Sequence, residues 1–134
     1  MKGAKFLAIL ASAGLMLAAG CTAVPISNIV DTPVVTNKQN PSLEDISRAI
    51  VRAGAALGWQ MKEVRPGQIV GTLMLRGHTA VVEVAYNTKA YSIVYKDSQN
   101  LDYNPATNTI HRNYNGWVQN LDRDIRAQLT AVGA

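Results

Sequence analysis

Hydrophobic positions follow three different rhythms along this chain. Residues 6–17 form an apolar run without a charge. From Leu43 onward, apolar residues recur at helical spacing as Leu43, Ile46, Ile50, Ala53 and Leu57. Ser42, just after Pro41, is placed to cap that helix. Glu44 and Asp45 favour its positive end, and Gly58 is a natural stop. The rhythm then shortens to two. Residues 59–64 predict a short strand that ends at Arg65-Pro66-Gly67, a turn in which Pro presets φ and Gly supplies a positive φ. Residues 68–76 place Ile69, Leu73 and Leu75 on one face, and Gly77 breaks the run. Residues 78–86 place Ala80, Val82, Val84 and Tyr86 together, with Thr79 and Glu83 opposite. Residues 90–97 align Tyr91, Ile93 and Tyr95.

Residues 98–109 are polar, and a last helix follows over roughly 110–131. Its buried stripe is Tyr114, Trp117, Val118, Leu121, Ile125 and Leu129, with Arg112, Asp122, Arg123 and Arg126 on the wet side. Gly116 lies inside this stretch at about 1 kcal/mol against Ala, which allows a start as late as Gly116. The order is α-β-β-β-β-α. Short connections make the strands antiparallel neighbours. The expected fold is an α+β two-layer sandwich, a four-stranded antiparallel meander with the N- and C-terminal helices on one face.

The opening run has a different meaning. Lys2 and Lys5 precede it, and Ala18-Ala19-Gly20 lead from its end into Cys21. The run is too short for a spanning helix, which needs about 20 apolar residues. Its length suits the apolar core of a signal peptide. Small residues directly before a cysteine resemble a lipobox, although Ala18 stands where Leu is usual. That resemblance implies cleavage before Cys21 and acylation of its thiol and new amino group. Cys21 is the only cysteine, so no internal disulfide is available to it. More than one acyl chain on one residue suffices for stable anchoring. Thr22, not Asp, follows Cys21. By resemblance to the sorting rule of such lipoproteins, this implies the outer membrane. A periplasm-facing domain is the expectation, which the sorting rule itself does not set.

Three segments are therefore expected: a signal peptide over 1–20, lipidated Cys21 with a flexible tether over 21–41, and one α+β domain over 42–134. The tether reading rests on Pro25, Pro33 and Pro41 and on the lack of any helical period. An edge strand at Val34-Val35 is the alternative. Of 13 Lys and Arg, two lie in the leader. The mature chain thus carries 11 against 9 Asp and Glu, a net charge of +2. With no basic run, nucleic acid is not expected as a partner.

Candidate chemistry is sparse. His78 and His111 are the only histidines, one at a strand start and one at a helix start, and they read as unrelated. No spacing of Cys or His suggests a metal site, and no glycine-rich phosphate loop is present. Neither metal nor other cofactor is expected. Ser47, Ser92 and Ser98 lack a nucleophile-elbow context. Glu63, Glu83, Asp97 and Asp102 read as solvated charge, so no catalytic residues are expected and the chain does not read as an enzyme.

The distinctive stretch is 91–117, where Tyr91, Tyr95, Tyr103, Tyr114 and Trp117 interleave with amides. Rings beside amides suit peptide or glycan surfaces. Asn100, Tyr103, His111, Arg112, Asn113 and Tyr114 are the candidate binding residues. The simpler alternative makes Tyr91, Tyr95 and Trp117 core and the asparagines loop builders.

Together, the lipobox, Leu57-Gly58-Trp59, Arg65-Pro66-Gly67, the 98–103 segment and the 110–117 segment resemble small uncharacterised lipoproteins of Gram-negative bacteria. The resemblance spans nearly the whole mature chain and imports no activity. An α/β lipoprotein domain on a tether is also similar, at fold level only, to accessory lipoproteins of outer-membrane assembly complexes. The expectation is a membrane-anchored, non-catalytic module with an envelope protein or peptidoglycan as partner. The alternative is a small-ligand carrier or sensor with a pocket lined by Tyr91, Tyr95 and Trp117.

Overall fold

Helix α1 (Leu43–Ala56) starts where the sequence places it. Ser42 is extended, its hydroxyl accepts from Asp45 N–H, and the Asp45 carboxylate accepts from Ser42 N–H. This capping box satisfies two amides that have no partner inside the helix. Lys38 Nζ reaches Asp45 Oδ2 at 2.7 Å. Its hydrogen bond holds the Asp45 carboxyl well below the usual carboxylate range. Gly58, with φ of 87°, ends the helix in the left-handed region.

The computed structural model describes residues 23–134. The expected signal peptide and the acylated Cys21 lie outside the described residues. Four strands follow α1: β3 (Gln60–Arg65), β4 (Gln68–Leu75), β5 (His78–Tyr86) and β6 (Ala90–Gln99). Each pairs antiparallel with the next, as alternation and short turns predict.

The sheet is nonetheless five-stranded. Strand β2 (Ile29–Pro33) adds to β6, which gives the order β2-β6-β5-β4-β3. A second sheet pairs β1 (Ala23–Pro25) with β7 (Thr109–His111). Two expectations change. The meander gains an edge strand, at 29–33 rather than at Val34-Val35. Residues 23–33, read as tether, belong to the folded domain. The physical reason is that these strands are short and their partners distant. Their register is irregular too, with a shift between Ile29 and Thr32. Side-chain amides also stand in for backbone partners: Asn28 Oδ1 accepts from Tyr95 N–H at 3.0 Å. Pro33 sits on an edge strand, where a missing N–H is tolerated.

Helix α2 (Asn113–Ala131) starts neither at residue 110 nor at Gly116. Ile110 is instead a buried strand residue in β7. Ile46, Ile50 and Ala53 of α1, Val118, Leu121 and Ile125 of α2, and Ile69, Val82, Val84 and Ile93 of the sheet form one core cluster. Each fully buried large aliphatic is worth about 1.5–3 kcal/mol. The opposite sheet face meets solvent and carries the Lys96–Glu83 ion pair at 3.7 Å.

The pairings sort the connections into two ends. One end gathers β1 and β7, the Arg76-Gly77 turn, the stop of α1, the start of α2 and the loop after β6. The other gathers the Pro66-Gly67 and 87–89 turns and the end of α2. There Val34 N–H bonds Lys89 O and Lys38 N–H bonds Val132 O.

Candidate functional site

Most of the candidate residues converge at the β1–β7 end. Asn100 lies just past β6 with φ of 57°, a left-handed conformation that asparagine tolerates. Its side-chain amide donates to Gly77 O at 3.2 Å, and its carbonyl accepts from His78 Nδ1–H at 2.6 Å. Leu101 is buried beneath the loop, and its carbonyl accepts His111 N–H at 2.8 Å. The loop is thus bolted to the β4–β5 turn on one side and to β7 on the other.

The two histidines, read from sequence as unrelated, are neighbours. Their ring centroids are 6.0 Å apart, and the Trp117 ring lies 6.3 Å from His78. A carbonyl only accepts, so His78 carries a proton on Nδ1. His111 Nδ1 accepts from Asn113 N–H at 3.2 Å, so its proton is on Nε2. This contact caps the first turn of α2, where Arg112 offers no side-chain cap. Among the described residues, no group of three or more His, Cys, Asp or Glu is arranged to hold a metal ion.

Tyr103 stacks on Tyr95 with centroids 4.4 Å apart and stays 38% exposed. Arg112 and Asn113 are exposed at the start of α2. Tyr114 differs from the other five candidates. At 1% exposure it is a core residue, edge-on to Tyr95 at 5.7 Å. Burial pushes its phenol well above the ordinary tyrosine range.

Sequence reasoning missed a neighbouring groove of about 220 Å³, lined by Leu57, Trp59, Leu73, Leu75 and Trp117. The alternation of Leu73 and Leu75 was visible, but not that Leu75 reaches the strand end with Trp117 beside it. A depression of about 270 Å³ elsewhere lies between α1 and the end of α2. Its Asp45 and Arg48 are already engaged in ion pairs.

The rings expected to line an interior ligand pocket go to three places. Tyr91 turns into the core toward Asp122, Tyr95 lies between Tyr103 and Tyr114, and Trp117 borders the surface groove. The β1–β7 end gathers amides, an imidazole pair, a stacked phenol, a guanidinium and an apolar groove. Compared with protein-family models, curated proteins and solved structures, the chain has no match.

Proposed function

We propose that this chain is an outer-membrane lipoprotein, anchored through acylated Cys21 and facing the periplasm. In this reading the domain is a non-catalytic module that binds an envelope protein. The observation that carries the binding role is the convergence of Asn100, His78 and His111 with the Trp117 groove at one end of the fold, with exposed Tyr103 in the loop after β6 and exposed Arg112 at the start of α2. Loops held by a rigid scaffold are where binding residues concentrate. An exposed ring already stacked at 4.4 Å loses little freedom when a partner covers it. The small-ligand carrier is disfavoured because its three lining rings do not share a cavity.

The test is crosslinked capture from intact envelopes with the acylated protein. Alanine at Asn100, Tyr103 and Arg112, with the fold checked by circular dichroism, is expected to abolish recovery of a specific protein. Equal recovery with wild type and triple variant would sink this surface. Recovery of peptidoglycan fragments alone would replace the protein partner with the cell wall.

A further inference from the structure

The β1–β7 end also carries an unusual hairpin tip. Strand β4 finishes with Met74, 63% exposed, and Leu75, 41% exposed. Neither is a necessary apolar exposure, since a strand end beside solvent accepts polar residues. Arg76 and Gly77 close the turn with φ of 52° and 78°. Leu75 pairs directly with His78, so the loop is two residues long. A two-residue loop with both φ positive is the type I′ pattern, which favours Asn or Asp before Gly. Arginine is a costly occupant of that first position, because its Cβ crowds the backbone there. Two partly exposed aliphatic side chains, Met74 on the open sheet face and Leu75 at the mouth of the Trp117 groove, thus meet an exposed guanidinium at one tip. Asn100 braces the turn through Gly77 O, and the loop after β6 carries the exposed Tyr103.

The chain itself says what this end meets. Strand β1 begins at Ala23, which pairs with His111. Cys21 is two residues earlier, so the lipid attachment point lies within about 7 Å of Ala23. The strand has no slack to give back. Asn115 accepts Ser27 N–H at 3.0 Å and donates to Pro25 O at 2.9 Å, clamping residues 25–27 to α2. A lipid on Cys21 therefore brings this end of the domain to the bilayer.

We propose that the hairpin tip Met74-Leu75-Arg76 docks the domain end-on against the phospholipid surface. The proposal rests on the reading that Cys21 is acylated. The two aliphatic side chains enter the headgroup boundary, and Arg76 meets lipid phosphates. Asp102 is the opposing charge in the neighbouring loop. Its presence makes apolar insertion, rather than a basic field, the main attraction. A partner bound at Asn100 and Tyr103 is then one that presents its surface at headgroup level.

The test uses the acylated full chain in vesicles of phosphatidylethanolamine with a minor share of phosphatidylglycerol. A fluorophore is placed on Met74→Cys, and in a second preparation on Thr88→Cys in the turn at the opposite end. Lipids brominated in the acyl chain are the quencher. Quenching is expected to be severalfold stronger at position 74 than at 88. Equal quenching, or the reverse order, overturns the proposal. Arg76→Asn installs the residue the turn prefers. It is expected to keep or raise thermal stability while reducing quenching of the probe at 74. Undiminished quenching in that variant removes Arg76 from the docking surface. The intact mass of the N-terminal peptide reads acylation separately. Acylated protein without the quenching difference refutes the docking alone, and unacylated protein refutes the anchor on which it rests.

Discussion

The Tyr91 hydroxyl donates to Asp122 Oδ1 at 2.5 Å, tying β6 to α2 through a contact shielded from solvent. Asp122 is 6% exposed, and Arg126 closes on its other oxygen at 2.6 Å. A buried carboxylate is tolerable only when its oxygens are occupied. Tyr91→Phe leaves one of them without that donor and is expected to destabilise the domain by about 2 kcal/mol. Asp122→Ala is expected to cost at least as much. The double variant should cost clearly less than the two summed, because both changes remove one interaction. Urea unfolding of the four proteins measures this, and strict additivity would mean that the pair is not coupled.

Burial raises the phenol of Tyr91, with the Asp122 hydrogen bond as the next cause, and burial does the same for Tyr114. In the unfolded chain both titrate near the ordinary value of 10.0. Above that pH the unfolded state loses protons that the folded state still holds, so stability falls as pH rises. The full contribution is present below about pH 10. Thermal unfolding across the alkaline range is expected to show a declining midpoint, with late phenolate absorbance appearing together with loss of structure. Tyr114→Phe should flatten the decline. A midpoint independent of pH there would contradict the burial of both rings.

The two helices and the hairpins were legible because their determinants are local. Ser42 and Gly58 bracket α1, and Pro66-Gly67 and Arg76-Gly77 mark two-residue turns between alternating runs. Strands β1 and β2 were illegible for the opposite reason. Three and five residues long, they have no period to read, and their partners are as far away as His111 and Ile93. The candidate site shared this limit. Asn100, Tyr103, His111 and Arg112 stood out as a polar and aromatic stretch. The meeting of His78 with His111 depends on how β7 and the loop before it fold back against the β4–β5 turn, which no local pattern encodes. Tyr114 sat in the same stretch, yet its place in the helical stripe was the better guide to its burial.

The same substitution should act with opposite sign in the two helices. Gly54 is buried in α1, and a Cβ built there would overlap Cγ and Sδ of Met61. Gly71 on β4 makes room for the same side chain, with Met61 Sδ 2.9 Å from its would-be Cβ. Gly54→Ala gains about 1 kcal/mol of helix propensity. Overpacking costs about 1–3 kcal/mol, so a net loss is expected. Gly116 in α2 is exposed, with nothing within 4 Å of the same construction. Gly116→Ala is expected to stabilise by about 0.5–1 kcal/mol. Thermal midpoints moving in opposite directions would bear this out. A gain at Gly54 would mean that Met61 has space to move away.

The Asn115 side chain hydrogen-bonds residues 25–27 to α2, as acceptor for Ser27 N–H and donor to Pro25 O. Both contacts are exposed, so water replaces them in part when the amide is removed. Asn115→Ala is expected to cost about 1 kcal/mol of global stability. The local effect should be larger than the global one. Residues 23–25 retain only the short ladder to β7, and Ile26 N–H still bonds Asn108 O at 3.0 Å. Such a ribbon opens without unfolding the five-stranded sheet. Hydrogen exchange is therefore expected to accelerate at residues 24–27 and 109–111, with little change in β4, β5 and α1. Uniform acceleration would show that the ribbon and the main core unfold as one unit. Unchanged exchange at 24–27 would show that the β1–β7 ladder holds the N-terminal strand without the Asn115 clamp.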